Sequence, residues 1–427
     1  MKRFSWLVFF ILVIGGGGSQ AHAYDYPLKD PYLATVIGTP SEFQPKLPEK
    51  IDYKMLSFKV FPEREIPSVF WYSREFRYSL TYQKGEAPLI FVIAGTGSSF
   101  YSANMIFFQR IFYQAGFHVI CLSSPTAMNF ITTASATSLP GNSVADAVDL
   151  YRVMTMAWQQ VKDRIKVLEF YLTGYSLGAS EAAFVAYLDE QKQVFNFKKV
   201  LMINPAVNLY SSAKILDDMI LHALPGGLKD FNVWLDRVLQ RFGEFYEAMG
   251  YIDLSHDWLY DIYKTQFKTQ TPKQENLATM IGFAFRMSSN NMIFTADVMT
   301  NAGVIVPKNL VLGTADSLYQ YFRLASTTTF VDYFEELLLP YYRAKHPELT
   351  QERAIQIIGL RQIEDYLRRS SKIGLMGNED DLILTAADLV FLKDVFGSRA
   401  KIYPYGGHCG NMSYTENVAY MLNFFKR

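Results

Sequence analysis

Residues 167–188, VLEFYLTGYSLGASEAAFVAYL, decide the fold. Val167 to Leu172 is an apolar run of strand length, and Leu177 to Leu188 has the composition of a helix. Between them stands Gly174-Tyr175-Ser176-Leu177-Gly178. A strand that passes into a helix through this spacing makes a sharp turn with the serine at its tip. Glycines two residues before and two after remove the side chains that such a turn would press against its neighbours. The helix starting behind Ser176 favours negative charge developing at the hydroxyl. The pentapeptide arises often by chance, and a glycine-rich turn with a bystander serine is the competing reading. The strand before and the helix after set this copy apart.

Outward from this turn the chain alternates. Leu89-Ile90-Phe91-Val92-Ile93 is a continuous apolar run, suited to a strand buried on both faces. It ends in Ala94-Gly95-Thr96-Gly97-Ser98-Ser99. Residues 103–114 predict a helix, Phe117 to Leu122 a strand, and residues 143–164 a helix. In that last helix Val144, Ala147, Val148, Tyr151, Met154 and Trp158 fall near one face. Val200 to Ile203 predicts another strand, closed by Asn204-Pro205. Upstream, Met55 to Phe61, Ser68 to Tyr72 and Phe76 to Tyr82 read as strands, with Gly85 and Pro88 marking a turn. This alternation predicts a parallel sheet wrapped by helices.

From Ala206 to Ser371 the alternation stops, and the chain is helix-like and rich in Tyr, Phe, Leu and Met. It resumes with Ile373 to Met376, a helix over Ala386 to Phe396, a strand over Ala400 to Tyr403 and a helix over Tyr414 to Phe425. The organisation is therefore an extended N-terminal arm over 24–50, a core over 51–205 and 372–427, and a helical insertion over 206–371. Leu337 to Tyr342 and Met280 to Met287 are the stretches of the insertion most suited to lining an apolar pocket, or to forming its own core.

A serine hydroxyl needs a base. Of six histidines, His22 lies in the N-terminal leader, His118 inside a strand, and His222, His256 and His346 in the insertion. His408 stands apart, in Tyr405-Gly406-Gly407-His408-Cys409-Gly410-Asn411, after the last strand and before the last helix. Catalytic groups gather in loops at the carboxyl ends of parallel strands. The carboxylate that orients such an imidazole is expected in Gly377-Asn378-Glu379-Asp380-Asp381. Asp381 is favoured, since Thr385 and Asp388 after it form a capping box. Asp380 is the second choice, and Glu379 the third. For the oxyanion, the backbone N–H groups of Leu177 and Thr96 are the candidate donors, with Gly97 as the neighbouring option.

These segments resemble the α/β-hydrolase superfamily: the glycine-rich loop at Gly95, the turn at Ser176, the acid loop at Asp381 and the histidine loop at His408. The resemblance covers residues 55–205 and 372–427. It implies a mostly parallel eight-stranded sheet flanked by helices, with a helical cap inserted after the sixth strand. It also implies an acyl-enzyme on Ser176, with His408 as base and then acid, oriented by Asp381. Carboxylic esters or thioesters are the expected substrates, small or lipid-like. A peptidase or amidase of the same fold, or a binding protein lacking turnover, are the alternatives. Many members carry His-Gly in the oxyanion loop where this chain has Ala94-Gly95, so no narrower family is indicated.

Composition sets the surroundings. The 427-residue chain has zero formal net charge and no basic run, which leaves no electrostatic footprint for nucleic acid. Lys2 and Arg3, an apolar run from Phe4 to Ile14 and the small residues of Ala21-His22-Ala23 make the layout of a secretory signal peptide over 1–23. That run falls well short of the ~20 residues a membrane span needs, so a periplasmic or secreted protein without a stable span is expected. The two cysteines, Cys121 and Cys409, could make one disulfide, though nothing in their positions favours it. No cysteine or HxxxH pattern supports a metal site, and no cofactor is expected.

Overall fold

The computed structural model describes residues 24–249 and 273–426. The expected signal peptide over 1–23, with His22, lies outside the described residues, as does His256. Eight strands form one sheet: β1 (Lys54–Phe58), β2 (Phe76–Thr81), β3 (Ala87–Ile93), β4 (His118–Leu122), β5 (Val167–Tyr175), β6 (Lys199–Ile203), β7 (Ile373–Asn378) and β8 (Ala400–Tyr403). Their order is β1-β2-β4-β3-β5-β6-β7-β8. The pairs β1–β2 and β2–β4 are antiparallel and the rest are parallel. This mostly parallel sheet, with helices packed on it and a helical insertion between β6 and β7, is the α/β-hydrolase fold.

The apolar runs of β3 and β4 are buried along nearly their whole length, because helices cover both faces of the sheet. On one face pack α4 (Ser143–Val161), which follows the short α3 (Met128–Thr133), and α5 (Leu177–Lys192), and on the other α2 (Ala103–Gln114) and the C-terminal helix Thr415–Lys426. After β3 the chain moves to β4 on one side, and then crosses back to β5 on the other. That reversal opens a crevice beyond the carboxyl ends of β3 and β5, where ligands bind in open sheets of this kind. The Gly95 loop follows β3 and Ser176 follows β5, so the reversal delivers both to one place.

The insertion is helical, as expected. Its α6 (Leu209–Leu221) packs against a long helix α8 (Gln274–Thr300), which the shorter α7 (Phe231–Met249) precedes. A buried ion pair pins α8 down. Arg286 Nη2 stands 2.6 Å from Asp217 Oδ1 of α6, and Arg286 Nη1 donates to the Thr328 carbonyl at 2.6 Å. Burial pushes the Asp217 carboxyl up to about 6, against the opposing pull of Arg286. Leu337, Leu338 and Leu339 are buried in the core of the insertion, whereas Met280 is exposed.

Three sequence expectations are corrected. The extended arm over 24–50 contains a helix, α1 (Pro31–Ile37), whose Asp30 side chain accepts the Tyr32 and Leu33 N–H groups. Proline at the first turn fits that start, and Leu33, Ala34 and Ile37 are buried. Ser68–Phe70, expected in a strand, is a turn of 3₁₀ helix following Pro67. In α4, Val144 and Val148 are exposed, because the buried stripe runs through Ala147, Leu150, Tyr151, Met154 and Ala157.

Between α4 and α5 lie two buried acids. Glu181 is fully buried, and the Ser143 hydroxyl beside it favours the charged form too weakly to offset that burial. Burial pushes its carboxyl well above the usual range, and Asp146 raises it further. Burial does the same to Asp146, although the Gly141 N–H donates to it. Such an acid keeps its proton in the native state where the unfolded chain has lost it. Its stabilising effect is therefore full below the unfolded value of about 4.3 and is lost as pH rises toward the folded value, by at most about 1.4 kcal/mol per pH unit. Glu181→Gln carries no proton to lose. Its urea midpoint should gain on that of the parent between pH 5 and pH 8, and an offset constant with pH would contradict a neutral Glu181.

Candidate active site

Ser176 caps α5 with φ 55° and ψ −126°, a conformation that few non-glycine residues adopt. Its neighbours make the turn fit. A Cβ on Gly174 would lie 2.1 Å from the Gly178 carbonyl oxygen, and one on Gly178 would lie 2.3 Å from the Ile93 carbonyl oxygen. Strand, turn and helix are thus in backbone contact, which ties the serine to the end of β3. A Cβ on Gly95 would come within 3.2 Å of Ser176 Cβ, so the loop after β3 touches the serine itself.

The histidine loop after β8 reaches the same place. His408 Nε2 lies 2.9 Å from Ser176 Oγ, and His408 Nδ1 lies 2.9 Å and 3.2 Å from the two oxygens of Asp381. With a carboxylate on Nδ1, that nitrogen carries the proton and Nε2 is left to accept from the serine. Asp381 is held in turn: the Asn204 side-chain amide donates to Oδ2 at 2.8 Å and the Ile383 N–H to Oδ1 at 3.2 Å. Burial of the imidazole works against its charged form. The Asp381 carboxylate and the Cys409 sulfur outweigh that, and His408 is held well above the ordinary histidine value.

The three acids of the loop after β7 take different directions. Asp380 accepts the N–H groups of Gly406 and Gly407, at 3.2 Å and 2.9 Å, and so joins the acid loop to the histidine loop. Glu379 pairs with Lys393 at the surface, 2.7 Å away. Asp381 alone of the three faces the imidazole. Of the other described histidines, His118 is buried in β4, where Nδ1 accepts from the Gln83 N–H and Nε2 meets the Lys166 carbonyl. His222 ends α6, and His346 lies at the surface near Glu348.

Thr96 and Ser176 line the same cavities, and Leu177 lines one of them. Among the described residues the Thr96 and Leu177 N–H groups have no acceptor, as an oxyanion site requires. Gly97 differs: its N–H donates to Thr126 Oγ1 at 2.8 Å and is already used. Gly97 also has φ +68°, and a Cβ there would meet Ser288 Cβ of α8 at 2.8 Å. The insertion therefore sits directly on the loop after β3. The cysteines are unbridged. Cys121 is buried under α2, while Cys409 Sγ lies 3.8 Å from His408 Nε2.

Sequence reading missed two supports. Asn204 orients Asp381 from the end of β6, a role its place in the chain does not advertise. The other is the N-terminal segment. The His408 N–H donates to Thr35 Oγ1 of α1 at 2.9 Å, and that hydroxyl donates to the Pro31 carbonyl at 2.7 Å. The Gly410 carbonyl accepts from the Tyr26 and Thr39 hydroxyls, at 2.9 Å and 2.8 Å. Asp30-Pro31 is the signal that could have revealed this helix.

No protein-family model matches this chain, and no curated protein matches it. Among solved structures it is similar to Est1E from Butyrivibrio proteoclasticus, at 10% identity over 83% of this chain and 96% of that one, with a TM-score of 0.36. It is also similar to a highly thermostable carboxyl esterase from Bacillus coagulans, at 14% identity over 88% and 99%, TM-score 0.39. A third is the Pyrococcus horikoshii acylaminoacyl peptidase, at 9% identity over 89% of this chain and 42% of that one, TM-score 0.42.

Thr35→Val keeps the shape of the side chain and strands the His408 N–H without an acceptor. Chemical denaturation should register a loss of about 1–3 kcal/mol for Thr35→Val and a much smaller one for Thr35→Ser. Equal losses for the two would assign the effect to packing.

Proposed function

We propose that this chain is a serine hydrolase that cleaves carboxylic esters or thioesters through an acyl-enzyme on Ser176. The observation that carries the reading is the unbroken line of hydrogen bonds from Ser176 Oγ through His408 to Asp381. His408 Nε2 takes the serine proton as Oγ adds to the carbonyl carbon. The Thr96 and Leu177 N–H groups receive the negative charge that develops on the carbonyl oxygen. His408 then gives its proton to the leaving group, and the acyl-enzyme forms. Water, deprotonated by the same imidazole, attacks the acyl carbon and frees Ser176. Asp381 keeps the proton on Nδ1 and stabilises the imidazolium of each half-reaction. The sequence of residues 1–23 supports export as part of the proposal, to the periplasm or the medium.

A fluorophosphonate should label the purified protein on Ser176, and Ser176→Ala should abolish both labelling and ester hydrolysis. Labelling elsewhere, or hydrolysis surviving Ser176→Ala, would refute the assignment. Failure to label the parent would instead favour a binding protein of the same fold.

The base must be neutral, so kcat/KM should fall as pH drops through the His408 value. With that value raised by Asp381, the acid limb should lie above the ~6.5 of a free histidine. Asp381→Asn removes the charge that raises it. The limb should then move to lower pH, and kcat should fall by about four orders of magnitude. An unmoved limb in Asp381→Asn would sever Asp381 from His408 function.

A further inference from the structure

Two cavities meet at Ser176, and they differ in size and chemistry. The first, about 360 Å³, is lined by His408, Cys409 and Ser176, by polar groups of three elements (Thr35 and Thr39 of the N-terminal segment, Asn104 of α2, Ser288 of α8) and by apolar side chains such as Ile281 and Met412; it is mixed where the second cavity is nearly all apolar. The second, about 50 Å³, is lined by Ser176, Thr96 and Leu177 and reaches under the insertion to Leu209, Met292 and Phe330. Leu209, Met292 and Phe330 are each less than a tenth exposed, so this part of the lining is packed and leaves little room to widen. Phe285 of α8 borders both cavities, as does Leu216.

The chemistry assigns a role to each. In acylation His408 delivers its proton to the leaving oxygen, so the leaving group must lie on the histidine side of Ser176. His408 lines the larger cavity and does not line the smaller one. The acyl chain is therefore left with the smaller cavity, which extends from both oxyanion donors. A cavity of about 150 Å³ holds benzene, and one water fills about 30 Å³ of the liquid. At about 50 Å³ the acyl side has room for two or three carbon atoms beyond the carbonyl. The leaving-group side is several times larger and presents the Ser288 hydroxyl and the Asn104 amide, while the Thr35 and Thr39 hydroxyls on its third wall already donate to the Pro31 and Gly410 carbonyls.

Resting on the proposed role of Ser176, we infer that the substrate is a short-chain acyl ester, of two to four carbons, of a larger and hydroxylated alcohol, and that Met292 sets the limit on chain length. Ser176 Oγ forms a bond to the acyl carbon, the ester C–O bond breaks, and the alcohol leaves with the proton from His408. Water then releases the short acid.

The test is a set of 4-nitrophenyl esters from acetyl to dodecanoyl, run beside fluorophosphonate labelling. kcat/KM should peak at two to four carbons and fall steeply beyond, since a methylene that does not fit costs about 10- to 200-fold. Met292→Ala should move the peak to longer chains, and Met292→Phe should confine it to acetyl. A monoacetylated hexose should exceed ethyl acetate in kcat/KM by about tenfold or more, for a large and partly polar pocket that ethanol cannot fill. A peak at five carbons or more in the parent, with Ser176 labelled, overturns this inference and leaves the nucleophile standing. Ethyl acetate turned over as well as the hexose ester overturns it likewise. Absence of both labelling and hydrolysis overturns the nucleophile as well. The chain-length profile of the parent decides the matter even if neither Met292 variant folds.

Discussion

A serine backbone in a sparsely populated conformation is the constraint around which the rest is arranged. At φ 55° and ψ −126° Ser176 stores on the order of 1–3 kcal/mol of strain. It can do so because β5 and α5 approach each other, and the end of β3, more closely than any side chain at 174 or 178 would allow. The ends of β3 and β5 that lead into the loop and the turn are buried, and their packing over-determines the turn. Everything else reaches toward this fixed point: the acid loop from β7, the histidine loop from β8, α8 from above and α1 from the N-terminal side.

The supports are graded by charge and burial. Asp381 is almost fully buried, and the partners that compensate it are its neighbours by fold: the Asn204 amide, the Ile383 N–H and the His408 ring. Asp380 spends its charge on two glycine N–H groups of the opposing loop and so holds the loop in place. Arg286 and Asp217 lie within the insertion, and removing one partner of such a pair leaves an uncompensated buried charge. The helix that carries Arg286 also brings Ser288 against Gly97, which links the seating of the insertion to the loop after β3.

Legibility followed locality. The β5–turn–α5 unit is readable because periodicity, glycine spacing and helix start lie within some twenty residues. The parallel core is readable because strands buried on both faces have apolar runs with no polar alternation. Asp381 and Asp380 are adjacent in one loop and carry the same chemistry, so only the fold tells which one faces the ring. Thr35 and Asn204 are invisible for a similar reason, since each acts on a residue more than 170 positions away. Val144 and Val148 misled because apolar residues on a helix need not face inward. In the arm, several prolines masked a helix that one of them begins.

The contact between α1 and the histidine loop has a consequence for how the molecule comes into being. Thr35 and His408 are separated by 373 positions, nearly the whole of the described chain. During synthesis Thr35 has no such partner until a segment 373 positions further along the chain has been made. Pairings of such separation carry the largest loop-closure cost and form late. The histidine loop therefore acquires this backbone support only after both segments have been made and have met. A truncated or half-made molecule can contain the strained serine and its helix, and still lack the contact that holds the imidazole loop beside it.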